Sequence, residues 1–131
     1  MSTRDLIERY NDAWNRHDVD AIVAMHAPGM VFENHTAGER AEGDEVAAHI
    51  AAIFAAWPDM GFAARRLYAT EELAVCEWTA TATHTASGRR VEWAGVDVFP
   101  LEGGLIKRKD VYSNAASALR EALAGPGEGG G

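Results

Sequence analysis

Residues 60–113, MGFAARRLYATEELAVCEWTATATHTASGRRVEWAGVDVFPLEGGLIKRKDVYS, decide the fold. β-Branched and aromatic residues fill four runs, 61–70, 73–85, 90–100 and 105–113, and the breaks between them, EE, SG and EGG, are short. Runs of this kind joined by tight connections read as four consecutive antiparallel strands. The third run alternates most cleanly, setting Val91, Trp93, Gly95, Asp97 and Phe99 on one face, so that a carboxylate stands in an otherwise apolar row. If helices cover that face, Asp97 is buried with it.

The segments before residue 60 supply the helices. Residues 2–16 begin with Ser2 three before Asp5, a capping-box pattern, and put Leu6, Ile7, Tyr10, Ala13 and Trp14 on one face of a first helix. Asp18 caps a second short helix, VDAIVAMHA, which Pro28 and Gly29 are expected to stop. MVFENH reads as a short strand and the polar TAGERAEGD as a loop. Residues 44–57 place Val46, Ile50, Ile53, Phe54 and Trp57 at helical spacing, with Pro58 as the stop. NAASALREAL reads as a short closing helix. The expected class is α+β, a curved, mostly antiparallel sheet with three N-terminal helices on one face. One domain is expected over residues 1–124, with a flexible Gly-rich tail at 125–131.

The bulk properties narrow the function. A chain of 131 residues, 47% hydrophobic, supports one core. Its formal charge of −8 disfavours nucleic acid and anionic membranes as partners. The lone Cys76 reads as a small buried hydrophobe, and the absence of an apolar leader or span points to a soluble, cytoplasmic protein. The histidines show no ligand-like spacing with one another, so neither a metal nor a cofactor is expected.

The order of helix, helix, strand, helix and four long strands resembles the nuclear transport factor 2-like superfamily, over about residues 4–123. Within it, RYNDAWNRHDVDAIVAMHAPGMVFENHTAG, WTATATHT and GRRVEWAGVDVFPLEGGLIKRKDVY resemble the SnoaL-like polyketide cyclase group. The resemblance implies a cone-shaped fold with a pocket between sheet and helices. It also implies a catalytic acid/base on Asp97 with a partnering His84. YNDAWNRHDVD is similar to the first helix of ketosteroid isomerases, which implies an oxyanion role for Tyr10 and puts their base position on Asn34, a side chain that cannot accept a proton.

Strand pairing gives an independent expectation for the site. A two-residue loop at Ser87 and Gly88 sets Trp78 opposite Asp97 and His84 opposite Val91, about 20 Å from Asp97 along the strand. A loop at Glu102 and Gly103 sets Arg108 opposite Asp97 with Asp110 a diagonal step away, making Asp97, Arg108 and Asp110 one cluster. Asp97 and Asp110 are candidate catalytic groups, and His84 joins them as the resemblance implies, although this register separates it from Asp97 and a bulge is needed to reunite them. Tyr10, Asn34, Trp57, Trp78, Trp93, Phe99 and Arg108 are the candidate ligand contacts, the aromatic ones forming a lining for a small apolar or aromatic ligand. Each has an ordinary alternative: an ion pair for Asp97 and Arg108, a solvated strand end for Asp110, a turn-side polar group for His84, and plain core for Tyr10 and the tryptophans.

Three functions follow as expectations. The first is an enzyme acting on a small, mostly apolar carbonyl compound by proton transfer and enolate stabilisation, of polyketide cyclase or isomerase type. The second is a non-catalytic binding domain using the same pocket. The third is a limonene-epoxide-hydrolase-like enzyme, for which Asp110 is suitably placed in sequence but VCEWTATA offers neither the Arg nor the Asp required. A homodimer through outward Val75, Val96 and Val98 is expected. Replacing Asp97 by Asn is expected to abolish turnover and keep the fold.

Overall fold

The computed structural model describes residues 1–124, so the tail read at 125–131 lies outside the described residues. The class is α+β, as expected. Helices α1 (Thr3–Asn15) and α2 (Val19–Val23) are followed by strands β1 (His26–Asn34) and β2 (Glu39–Glu42). A 3₁₀ turn at Gly43–Glu45 leads into α3 (Val46–Ala56). Strands β3 (Gly61–Ala69), β4 (Leu73–His84), β5 (Arg89–Glu102) and β6 (Leu105–Ser113) precede the closing helix α4 (Ala115–Leu123). The six strands form one sheet in the order β2-β1-β6-β5-β4-β3, with β1 parallel to β6 and every other pair antiparallel.

The first helix starts where its capping box predicts. Asp5 N–H donates to Ser2 Oγ at 3.1 Å, and Ser2 N–H donates to Asp5 Oδ2 at 3.1 Å. Its apolar stripe, Leu6, Ile7, Tyr10, Ala13 and Trp14, is buried against the inner face of the sheet. That face carries the alternating row of β5, where Val91, Trp93, Asp97 and Phe99 are all buried. No helix among the described residues is long and apolar enough to cross a membrane.

Four local expectations are corrected. Pro28 and Gly29 do not end a helix: α2 stops at Val23, and both residues lie inside β1, where the pairing with β6 shifts between His26 and Val31. The strand begins early because Ile106 N–H donates to Met25 O at 2.9 Å, while Pro28 has no N–H to offer and Gly29 takes a φ of +73°. The polar stretch after Asn34 contains the edge strand β2, whose charged residues suit an unpaired edge and whose Ala41 alone is buried.

The other two corrections set the site. At the β4–β5 turn His84 pairs with Arg89, so the loop is four residues long, closed by Gly88 N–H donating to His84 O at 2.7 Å. Pairing slips by an even step: Cys76 stands opposite Asp97 and Trp78 opposite Gly95, but every residue keeps its face. At the β5–β6 turn the loop is Gly103 and Gly104, with φ of +58° and +78°, the two positive values that a type I′ turn requires and glycine supplies. A further register shift between Val98 and Leu101, flanking the N–H-free Pro100, puts Val111 opposite Asp97. The combined slip is odd and exchanges faces. Lys109 turns inward and Arg108 outward.

Candidate active site

Asp97 on β5 and Lys109 on β6 are the only buried charged residues among those described, at 4% and 7% exposure. Lys109 Nζ donates to Asp97 Oδ2 at 3.3 Å, and Asp97 Oδ1 has no partner. The ammonium lies among four rings, 4.2 Å from the centroid of Trp14, 5.1 Å from Tyr10, 5.5 Å from Phe99 and 5.6 Å from Phe32. Burial pushes the Asp97 carboxyl above the usual carboxylate range, and Lys109 opposes that shift without cancelling it. The result is a carboxylate with one oxygen outside any full hydrogen bond beside a fixed positive charge, both buried.

A cavity of about 450 Å³ reaches this pair from between α3, α4 and the β1–β2 loop. Its apolar wall includes Phe32, Trp57, Trp78, Val91, Trp93 and Leu119, and Asn34 contributes an amide. Trp57 and Trp93 lie with ring centroids 5.6 Å apart. The indole nitrogens of Trp14 and Trp78, both buried on this cavity, make no full hydrogen bond; the Trp78 N–H lies near enough to Asp97 to favour its charged form, and the Trp14 N–H stands likewise toward the Tyr10 hydroxyl. Two donors without a full hydrogen bond and the carboxylate oxygen Oδ1 around an aromatic chamber can receive a ligand that accepts and donates at neighbouring atoms.

The Trp78 ring holds its position because Gly95, opposite it, has no side chain. A Cβ there would meet Trp78 Cζ2 at 2.5 Å and Tyr112 O at 2.8 Å. Gly95→Ala is therefore expected to displace Trp78 and to destabilise the fold by about 1–3 kcal/mol. Urea unfolding together with the near-UV circular dichroism of the tryptophans would read both effects, and an unchanged midpoint and spectrum would refute them.

The sequence-predicted residues separate into three groups. Asp97, Asn34, Trp57, Trp78 and Trp93 come together on the cavity. Tyr10 and Phe99 do not line it. Both are fully buried behind Lys109, with ring centroids 5.5 Å apart, and they supply faces of the ammonium's cage. The Tyr10 hydroxyl is bonded to His26 Nε2 at 2.8 Å, and burial pushes the phenol well up, so it stays protonated. His26 is held near 4, chiefly by burial and further by Lys109. His84 sits at the β4 turn, bonded through Nδ1 to Ser87 Oγ at 2.8 Å, away from Asp97.

The predicted cluster of Asp97, Arg108 and Asp110 is split by the odd register slip. Arg108 Nη2 donates to Asp110 Oδ1 at 2.8 Å and to Glu33 Oε1 at 3.0 Å on the outer face. Its bonds hold the Asp110 carboxyl below the usual range, an inactive arrangement for proton transfer at neutral pH. His35 Nε2 joins the same group, 2.8 Å from Asp110 Oδ1. The expectation of no metal site rested on histidine spacing, whereas folding brings ligand atoms of Glu33, His35 and Asp110 within 4.8 Å of one another. Arg108 already donates into both carboxylates, so the positive charge a cation would bring is present.

Lys109 was not among the predicted residues. The signal for it was the pair Gly103 and Gly104, which positions the turn one residue later than Glu102 and Gly103, together with Pro100 as a bulge former. Trp14 was assigned to the core, and its free indole N–H has no mark in sequence.

No functionally curated protein matches the chain. Several solved structures share its fold. An NTF2-like protein of unknown function from Burkholderia pseudomallei is 23% identical with a TM-score of 0.83, the match covering 95% of this chain and all of that one, 100%. A candidate SnoaL-like polyketide cyclase from Jannaschia sp. CCS1 is 18% identical with a TM-score of 0.82, covering 95% and 92% of the two chains. IdmH, a candidate polyketide cyclase from Streptomyces antibioticus, is 18% identical with a TM-score of 0.80, covering 92% and 98%. The model of the SnoaL-like domain matches residues 7–109, a span that starts in the α1 stripe and ends on Lys109 itself. With helices, curved sheet and inward-facing cavity in that arrangement, the chain belongs to the SnoaL-like domain family.

Proposed function

We propose that this protein is an enzyme that moves a proton at the carbon next to a carbonyl group in a small, mostly apolar compound, as polyketide cyclases and isomerases do. The observation that carries the reading is the buried Asp97–Lys109 pair, with Asp97 Oδ1 free, on an aromatic cavity of about 450 Å³. Asp97 Oδ1 takes the α-proton as the C–H bond breaks. The electron pair moves to the carbonyl oxygen, and the enolate so formed is stabilised by the Lys109 ammonium. Desolvation makes Asp97 a stronger base than an exposed carboxylate, and the fixed ammonium needs no reorganisation when charge develops. Two proteins of similar fold are described as candidate polyketide cyclases, which agrees with this chemistry. The epoxide hydrolase alternative needs Asp110 in the cavity, and Asp110 is tied to Arg108 outside it.

The test is exchange of α-protons for deuterium. A panel of aryl ketones and 1,3-diketones incubated with the protein in D2O should lose α-proton signal in the NMR spectrum at an enzyme-dependent rate. A variant carrying both Asp97→Asn and Lys109→Met should exchange more slowly by about 10²- to 10⁴-fold. Saturable binding of those compounds with no exchange and no other turnover would identify a non-catalytic binding domain instead.

We further propose that the outer face of the sheet pairs with a second copy of the chain. Val75, Val96 and Val98 are half-buried there without a covering layer in the monomer. Sedimentation at micromolar concentration should give twice the chain mass, and a single species at 14.1 kDa would exclude the pairing.

A further inference from the structure

The Asp97–Lys109 pair is bordered by a second space. A cleft of about 250 Å³ lies between α1 and β3, on the other side of Trp14, Phe62 and Trp78, and Asp97 and Lys109 line it as well as the main cavity. Its outer wall is unlike that of the aromatic chamber. From α1 it receives Glu8, Asn11, Asp12 and Asn15 at helical spacing, and from β3 it receives Ala64.

Three features mark this cleft as built. β3 is an edge strand whose register shifts between Ala64 and Arg66, and its middle, Ala63 to Arg66, stays exposed. The small side chain of Ala64 and the bulge leave the opening. Asn15 fixes one end through both atoms of its amide, donating to Phe62 O at 3.1 Å and accepting from Phe62 N–H at 2.7 Å. The free acceptors also gather here. Among the described residues Glu8 has no ion-pair or hydrogen-bond partner, Asn11 uses only its Nδ2, toward Cys76 Sγ at 3.6 Å, and Asp97 Oδ1, on a side chain 6% exposed, is idle.

We infer that the α1–β3 cleft is a second subsite, which receives a hydrogen-bond-donating arm of the same ligand whose apolar body fills the aromatic chamber. The inference rests on the reading of that chamber as the ligand site. A ligand anchored by its carbonyl at Lys109 lies at the junction of the two spaces. An arm of that ligand reaching the cleft would find the half-buried Asn11 and the exposed Glu8 among its acceptors. Acceptors without donors select a hydroxyl or protonated amine over a hydrocarbon end.

Isothermal titration of naphthyl pentyl ketone and of its ω-hydroxy and ω-amino derivatives tests this. Both derivatives should bind the wild-type protein about tenfold more tightly than the parent, the gain of one hydrogen bond to a polar or charged acceptor. Glu8→Gln should reduce the gain of the amine more than that of the alcohol. Ala64→Phe should fill the cleft and erase both gains while leaving unchanged the affinity of naphthyl methyl ketone, which has no arm to place there. Ala64→Leu provides the same readout with less bulk, and an unchanged unfolding midpoint certifies each variant. Equal affinity of all three ketones for the wild type would overturn the inference, as would gains that survive both substitutions. Binding of none of the three would refute the aromatic chamber as a ketone site, and the subsite with it.

Discussion

Removing either member of the Asp97–Lys109 pair alone is expected to destabilise the protein by about 3–5 kcal/mol, and removing both is expected to cost clearly less than the two singles summed. Lys109→Met leaves the Asp97 carboxylate buried without its only charged partner. Asp97→Asn leaves an ammonium 8% exposed in its side chain with no carboxylate within reach. The double variant replaces the pair by an amide and a thioether of similar bulk, which suit the surrounding rings. Urea unfolding of the four proteins closes the cycle, and a double variant as unstable as the two singles summed would show that the residues do not act as a pair.

Sequence reasoning expects Asp97→Asn to keep the fold, whereas Lys109, buried 3.3 Å from Asp97, loses its counter-ion in that variant. Loss of activity in the single variant then reports loss of structure as well as of the base, whereas the double variant lacks the base and is expected to fold. It should lose α-proton exchange by about 10²- to 10⁴-fold, the usual contribution of a positioned general base. In the wild type the rate should rise with pH as Asp97 ionises, with a midpoint above the ordinary carboxylate range because burial resists its charge. A midpoint at the value of an exposed aspartate would contradict a desolvated base.

Acid should weaken the protein through His26. Its folded pKa lies near 4, below the ordinary 6.5, because burial disfavours the imidazolium and Lys109 repels it. The bond between its Nε2 and the Tyr10 hydroxyl holds the ring in this buried position. A depressed folded pKa contributes stability that is complete above 6.5 and is lost as pH falls through about 4. The span between those values corresponds to about 3 kcal/mol. Unfolding free energies measured from pH 7 to pH 4 should fall by about that amount in the wild type. His26→Gln, which keeps an acceptor for Tyr10, should flatten the fall. An equal slope in both proteins would remove His26 from the account.

Local chemistry made much of this protein legible in its sequence. The stripe on α1, the β-rich second half and the alternating row from Val91 to Phe99 each repeat with the period of one element, and a period is a property of neighbouring residues. They determine the α+β class and the inward direction of Asp97 without reference to any other strand. The partner of Asp97 is a different matter. It depends on where two turns close and on whether a bulge intervenes, and an odd slip exchanges Arg108 for Lys109. The two positive φ values at Gly103 and Gly104 and the shift beside Pro100 make that slip odd. Tyr10 shows the same limit from the helical side: its face was correct, but whether its hydroxyl meets a ligand or His26 depends on a strand that starts sixteen residues later, at His26. The sequence by itself determined which faces are apolar and that a carboxylate lies among them. The tertiary structure decided which cation neutralises it and which two spaces reach it, because cross-strand register and helix-to-sheet gaps arise only from contacts between elements distant in the chain.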